Sequence, residues 1–130
     1  MAKSRTRTPA EPLGGIKWLD DVAPHDYKAA EAYLSLKLSS AEVHKAIKRL
    51  RQASLTQRRA NDILRAAGLS AAPLDDPGVI KDLIKVIEGK RLSPVLVISD
   101  EERADIADGY HRVSLVYRID PYGVVPLKLG

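Results

Sequence analysis

Asp108-Gly109-Tyr110-His111-Arg112 is the stretch whose reading decides the fold; Ala104-Asp105-Ile106-Ala107 precedes it and apolar Val113, Val116 and Tyr117 follow. The residues before it read as a strand ending at Gly109, and Tyr110 to Arg118 reads as a helix. A strand that turns at a glycine straight into a helix leaves the first backbone N–H groups of that helix unpaired and aimed at one point. The helix dipole favours negative charge at the same place. Gly109 lets a ligand approach the backbone closely, while His111 adds a titratable donor and Arg112 a permanent, forked cation. A cation at a helix N-terminus is opposed by the dipole unless an anion lies between them, so the pair favours a bound anion over a solvated surface. Gly109, Tyr110, His111 and Arg112 are therefore the expected phosphate-binding residues. Asp108 is placed either to cap the helix or to take part in chemistry.

Working outward, Asp120-Pro121-Tyr122-Gly123 turns the chain into a last strand, and Val95 to Ile98 is a continuous apolar run suited to a strand buried on both faces. A charged turn, Ser99 to Arg103, joins that run to the next strand. Ser70 to Pro77 is a loop, after which Asp76 caps a helix with Pro77 at its first position and Gly89 at its close. Val79, Ile80, Leu83, Ile84 and Ile87 are its expected buried stripe. Further back, Thr56 is read as the cap of a helix ending at Gly68, with Ala60, Ile63, Leu64 and Ala67 inward and Arg58, Arg59 and Arg65 outward. Ser39 and Glu42 form a capping-box pattern before a helix from Ser40 to Gln52, whose open face carries His44, Lys45, Lys48, Arg49 and Arg51. Tyr27 to Leu38 has helical spacing, and Ile16 to Leu19 reads as a short strand. Residues 1–14, with Lys3, Arg5 and Arg7 against Glu11, read as a flexible basic tail, and 15–130 as a single domain. Helices first and a small mixed sheet after them make the class α+β.

The chain has 130 residues, 45% of them hydrophobic, with no Phe and one Trp, so Leu, Ile, Val and Ala must build the core. With no cysteine, disulfides, thiol nucleophiles and Cys-ligated metals are excluded. No apolar run approaches membrane-spanning length and no signal-peptide segment opens the chain, so a cytoplasmic protein is expected. The net charge of +4 is compatible with nucleic acid, nucleotides or acidic partners. Oligomeric state is not legible.

In its last 40 or so residues the sequence resembles the ParB/sulfiredoxin superfamily, whose members carry a Gly-x-x-Arg or Gly-x-His-Arg turn between strand and helix. Leu92 to Ile98 looks like the family's Pro-containing strand, Ala104 to Arg112 like its strand and phosphate turn, and Val124 to Leu129 like its closing strand. The resemblance implies a ParB/sulfiredoxin-like α+β fold and a bound nucleotide, CTP or ATP with Mg. Some superfamily kinases carry an Asp-Gly-His-His-Arg turn, which implies a catalytic role for Asp108 and His111 in phosphoryl transfer; Tyr110 replaces the first His. Binding alone and catalysis both stay open. Sulfiredoxin chemistry is excluded, because its cysteine position is Tyr110, and Pro24-His25-Asp26-Tyr27 stands where ParB proteins show an Asn-Pro-x-Gln-x-Arg box, without its arginine.

The alternative is a nucleic-acid-binding module of the ParB-like nuclease kind, in which the same turn and a basic helical face of Lys48, Arg49, Arg58 and Arg59 hold backbone phosphates. A third reading is an adaptor with no ligand, in which Arg112 pairs with a carboxylate of its own chain. His25, His44 and His111 lack metal-ligand spacing and no protein metal site is expected; Asp105 or Asp108 can supply a ligand to a nucleotide-borne Mg. Arg112→Ala is expected to abolish ligand binding and leave the fold intact.

Overall fold

The computed structural model describes residues 15–130, so the tail expected over residues 1–14 lies outside the described residues. In chain order the elements are α1 (Pro24–Leu34), α2 (Ser40–Gln52), β1 (Leu55–Arg59), α3 (Ala60–Ala67), α4 (Pro77–Ile87), β2 (Val95–Ser99), β3 (Ala104–Asp108), α5 (Tyr110–Ile119) and β4 (Val124–Leu129). Ser39 closes a reciprocal capping box with Glu42 at the start of α2. Asp76 caps α4 by accepting from the Gly78 and Val79 N–H groups, with Pro77 at a position where a missing N–H costs nothing.

The four strands form one sheet in the order β1-β4-β2-β3. The last strand is thus interior, antiparallel to β1 and parallel to β2, while β2 and β3 pair antiparallel with a register shift between Leu96 and Val97. Alternation divides the sheet's side chains between two layers of helices. Val95, Val97, Ile106, Val125 and Leu127 pack with α3 and α5, and Leu96 and Ala107 pack with α1 and α2. On the far side of α5, Leu115 packs with Val79 and Val86 of α4 and with Leu92. The class is α+β, as expected.

Four expectations are corrected. Thr56 to Arg59 is a strand, because its backbone is taken up by β4 (Thr56 opposite Leu127, Arg58 opposite Val125), and the helix begins only at Ala60. The first helix starts at Pro24, with proline in its first turn, and stops at Leu34, where Leu38 was expected. Ile16 to Leu19 makes a single parallel bridge, Trp18 with Leu92. On α4, Val79 and Val86 are buried, whereas Ile80, Ile84 and Ile87 are 39%, 47% and 60% exposed. No helix among the described residues is long and apolar enough to cross a membrane.

Candidate functional site

At the β3–α5 turn Gly109 takes φ 110° and ψ 15°, a left-handed conformation that L side chains rarely adopt. A Cβ there would stand 2.8 Å from Val95 Cγ2 and 2.9 Å from Arg112 Nη2. The turn thus requires glycine for both its dihedral and its packing. The Gly109 carbonyl accepts the first bond of α5, from Val113 N–H at 3.0 Å, and the N–H groups of the first turn before it have no partner within the helix.

Asp108 does not cap the helix. Its Oδ2 accepts from Arg112 Nη2 at 2.8 Å, and Arg112 Nη1 donates to Asp26 Oδ2 on α1 at 2.9 Å. Arg112 is therefore the centre of a largely buried carboxylate–guanidinium–carboxylate triad that ties the turn to α1. Burial alone would raise the Asp26 carboxyl, but hydrogen bonds with Ser93 and Arg112 and the charges of Arg112 and His25 outweigh it and hold it below the usual value. Burial pushes the Asp108 carboxyl up; the Arg112 charge opposes this and the nearby Asp26 charge adds to it.

Tyr110 is an anchor: its hydroxyl donates to the Ser70 carbonyl at 2.6 Å and its ring packs against the core. His111 lies flat over Gly78, where a Cβ would come within 2.6 Å of the imidazole, and its Nε2 is 3.3 Å from Asp76 Oδ1. The ring can occupy this position because α4 has a glycine in its first turn.

These residues line a cleft of about 460 Å³. The first turns of α1, α4 and α5 all open onto it, through His25 and Asp26, Gly78, and Gly109 to Arg112. Three helix N-termini at one cavity make it favourable to anions before any side chain is counted. Lys81 and Lys85 of α4 add two ammonium groups that have no ion-pair partner among the described residues. Arg91 also lines the cleft and donates to the Trp18 carbonyl at 2.9 Å. Asp82, half-buried in the same cleft, likewise has no ion pair among the described residues. Burial raises its carboxyl above the usual value, against the opposing charges of Arg112, Lys85, His111 and Lys81.

No family model, no curated protein and no solved structure matches the chain.

All five residues of the expected turn, Asp108, Gly109, Tyr110, His111 and Arg112, come together at the cleft. Arg112 is not the free fork that was expected, since two carboxylates already engage it. The internal pairing anticipated for an adaptor is thus present, but so is a cleft. Lys48 and Arg49 lie on α2, while Arg58 and Arg59 belong to β1, so the four do not share one helical face. Arg58 sits opposite Val125, on the α3 side of the sheet away from α2, and donates to Thr56 Oγ1 and the Gln57 carbonyl, both at 2.9 Å. Arg59 stands over the Tyr122 ring at 5.8 Å. Asp105 pairs with Lys37 and Tyr33 in a separate groove and is not at the cleft. For a Mg ion carried by a nucleotide, Asp82 is a free hard-oxygen donor of suitable type. Among the described residues no group of three His, Cys, Asp or Glu is placed to hold a metal alone. Asp26, Gly78, Lys81, Asp82, Lys85 and Arg91 were not foreseen. For Gly78 a signal existed, since Pro77-Gly78 puts a poor helix former in a first turn.

Proposed function

We propose that the cleft binds a nucleotide or another phosphorylated ligand, with its phosphates at the N-terminus of α5. The observation that carries this reading is the convergence of three helix N-termini and the unpartnered Lys81 and Lys85 on one cavity of about 460 Å³. That volume lies in the range of small-molecule sites, and the helix N-termini and the two lysines favour negative charge, against the carboxylates of Asp26, Asp82 and Asp108. The backbone N–H groups of Tyr110 and His111 would bond phosphate oxygens, His111 would add a hydrogen bond, and the two lysines would neutralise charge. Arg112 spends two of its donors on Asp26 and Asp108, so it acts first by holding the turn in shape and second through donors that remain. The Gly-x-His-Arg pattern of the ParB/sulfiredoxin superfamily supports the same assignment.

In the enzymatic version of this proposal the reaction is phosphoryl transfer, which needs positioning and charge neutralisation more than a special nucleophile. Asp108 is one base for an acceptor hydroxyl, and Asp82 is a second carboxylate in the same cleft, free of an ion pair. CTP or ATP with Mg is the ligand class to try first. The separation of Arg58 from Lys48 and Arg49 leaves the nucleic-acid alternative without a continuous basic face.

The test is a thermal-shift and calorimetric titration with CTP, ATP and GTP, each with and without Mg, and with a short DNA duplex at two salt concentrations. The expected result is stabilisation by a nucleotide that is lost in Lys81→Ala/Lys85→Ala, a variant whose unliganded unfolding midpoint matches the native chain. No response to any nucleotide at millimolar concentration would sink the proposal. A response to duplex alone that fades at the higher salt would replace it with nucleic-acid binding.

A further inference from the structure

Three isoleucines recur on the outer side of α4 at Ile80, Ile84 and Ile87, within roughly 60° of one another around the helix axis. The opposite side of the helix already supplies Val79 and Val86 to the core, and this stripe belongs to none of the core clusters of the described residues. Ile80 and Ile84 line an open groove of about 530 Å³ whose rim carries Lys81, Lys85 and Lys90, with Ile87 one turn further along the helix. Glu88, the one acid among the lining residues, is paired with Lys90 at 3.1 Å. An apolar stripe at i, i+4 and i+7 with a basic rim is the complement of a helix with its own apolar seam and acidic flanks.

We infer that the outer face of α4 docks an acidic amphipathic helix of another protein. The charge and shape of this face disfavour other occupants. A second copy related by a two-fold axis would set these lysines against themselves. Residues 1–14 carry Lys3, Arg5 and Arg7 against Glu11, the same sign as the rim, and no apolar seam. An anionic membrane surface would need a broader apolar face inserted to about 5–10 Å, usually with aromatic residues. This face is narrow, about half-exposed and has none.

Lys81 and Lys85 also line the cleft, so under the function proposed above a docked helix and a bound anion draw on the same two cations. The titration is run without nucleotide, which makes its outcome independent of that proposal. The probe is a fluorescein-labelled synthetic helical peptide with leucine at alternating third and fourth positions and glutamate on both flanks, followed by anisotropy with the full chain. Its comparators are the same peptide with lysine flanks and vesicles of phosphatidylserine and phosphatidylcholine. The acidic peptide is expected to bind at roughly 10–100 μM, more weakly as salt rises, and at least about ten-fold more weakly to Ile84→Glu. The inference is overturned by no binding at about 1 mM, by equal binding of the lysine peptide, or by affinity unchanged in Ile84→Glu. Preferential binding of the vesicles, or self-association that Ile84→Glu abolishes, overturns it too. Ile80→Ser and Ile87→Ser repeat the measurement at separate sites, and an unfolding midpoint equal to the native chain's qualifies each variant.

Discussion

Replacing Arg112 with methionine keeps most of the side chain's bulk and removes its charge, leaving Asp108 without its cation and Asp26 with only the exposed His25, whose Nε2 is 3.1 Å from Asp26 Oδ1. Removing one partner of a buried ion pair costs about 3–5 kcal/mol, chiefly because the remaining charge stays desolvated. Here the Arg112 side chain is 12% exposed, Asp26 7% and Asp108 21%, so water reaches Asp108 and the low end, about 3 kcal/mol at pH 7, is expected. By urea unfolding that is a midpoint shift of roughly 1–2 M. The loss must also depend on pH in one direction. In the native chain the Asp26 carboxyl is held below its usual value, so its contribution is present at neutral pH and is lost only as pH falls through that lowered value. In the variant both carboxyls lose the opposing charge of Arg112, leaving Asp26 with only Ser93 and His25 against burial and the Asp108 charge, so protons bind on acidification that native Asp26 refuses. The gap between variant and native chain therefore narrows from pH 7 toward pH 4. A loss below about 1 kcal/mol, or a gap that is constant or widens on acidification, would refute the triad as a structural tie. The expectation that Arg112→Ala spares the fold is replaced by this one, and Lys81→Ala/Lys85→Ala becomes the cleaner probe of ligand binding.

Gly109→Ala should cost at least about 2 kcal/mol in unfolding free energy, since its Cβ meets Val95 at 2.8 Å in a left-handed conformation; a loss under about 0.5 kcal/mol would contradict the assigned turn. Gly78→Ala should leave the fold in place but displace the His111 ring, read as large changes in its NMR ring-proton shifts and as a loss of any nucleotide response. Asp82→Asn should raise the melting temperature at pH 7. Its raised carboxyl disfavours the ionised form in the fold, so the gain should disappear below the usual carboxylate range, where the native group is neutral in both states. Ser39→Ala should lower stability by about 1 kcal/mol through loss of the α2 capping box, measured by urea unfolding.

What was legible in the sequence was what local chemistry determines. Ser39 with Glu42, and Asp76 with Pro77, mark helix starts because cap and capped groups are neighbours in the chain. The turn at Gly109 was legible for the same reason. Thr56 to Arg59 was misread because a Thr before a helical run resembles a cap, while its pairing partner lies about 70 residues later in β4 and leaves no local trace. The α4 stripe was misread because periodicity shows that a helix has an apolar face, not that each apolar residue finds a partner. Half of the cleft was hidden likewise: Asp26, Gly78, Lys81 and Asp82 come from α1 and α4, which only the folded core brings to α5.

The interior place of β4 sets a schedule for synthesis. Arg112 reaches Asp26 across 86 residues, and Lys128 on β4 donates to the Tyr27 hydroxyl across 101. While the ribosome still holds residues 124–129, β1 and β2 have no common neighbour, and the layer that seats α1 lacks its last strand. Until β4 emerges the nascent chain thus carries an unpaired β1 and a two-stranded β2–β3 hairpin, both with open edges. A chain stalled just short of β4 would present those unpaired edges to proteases and to other chains.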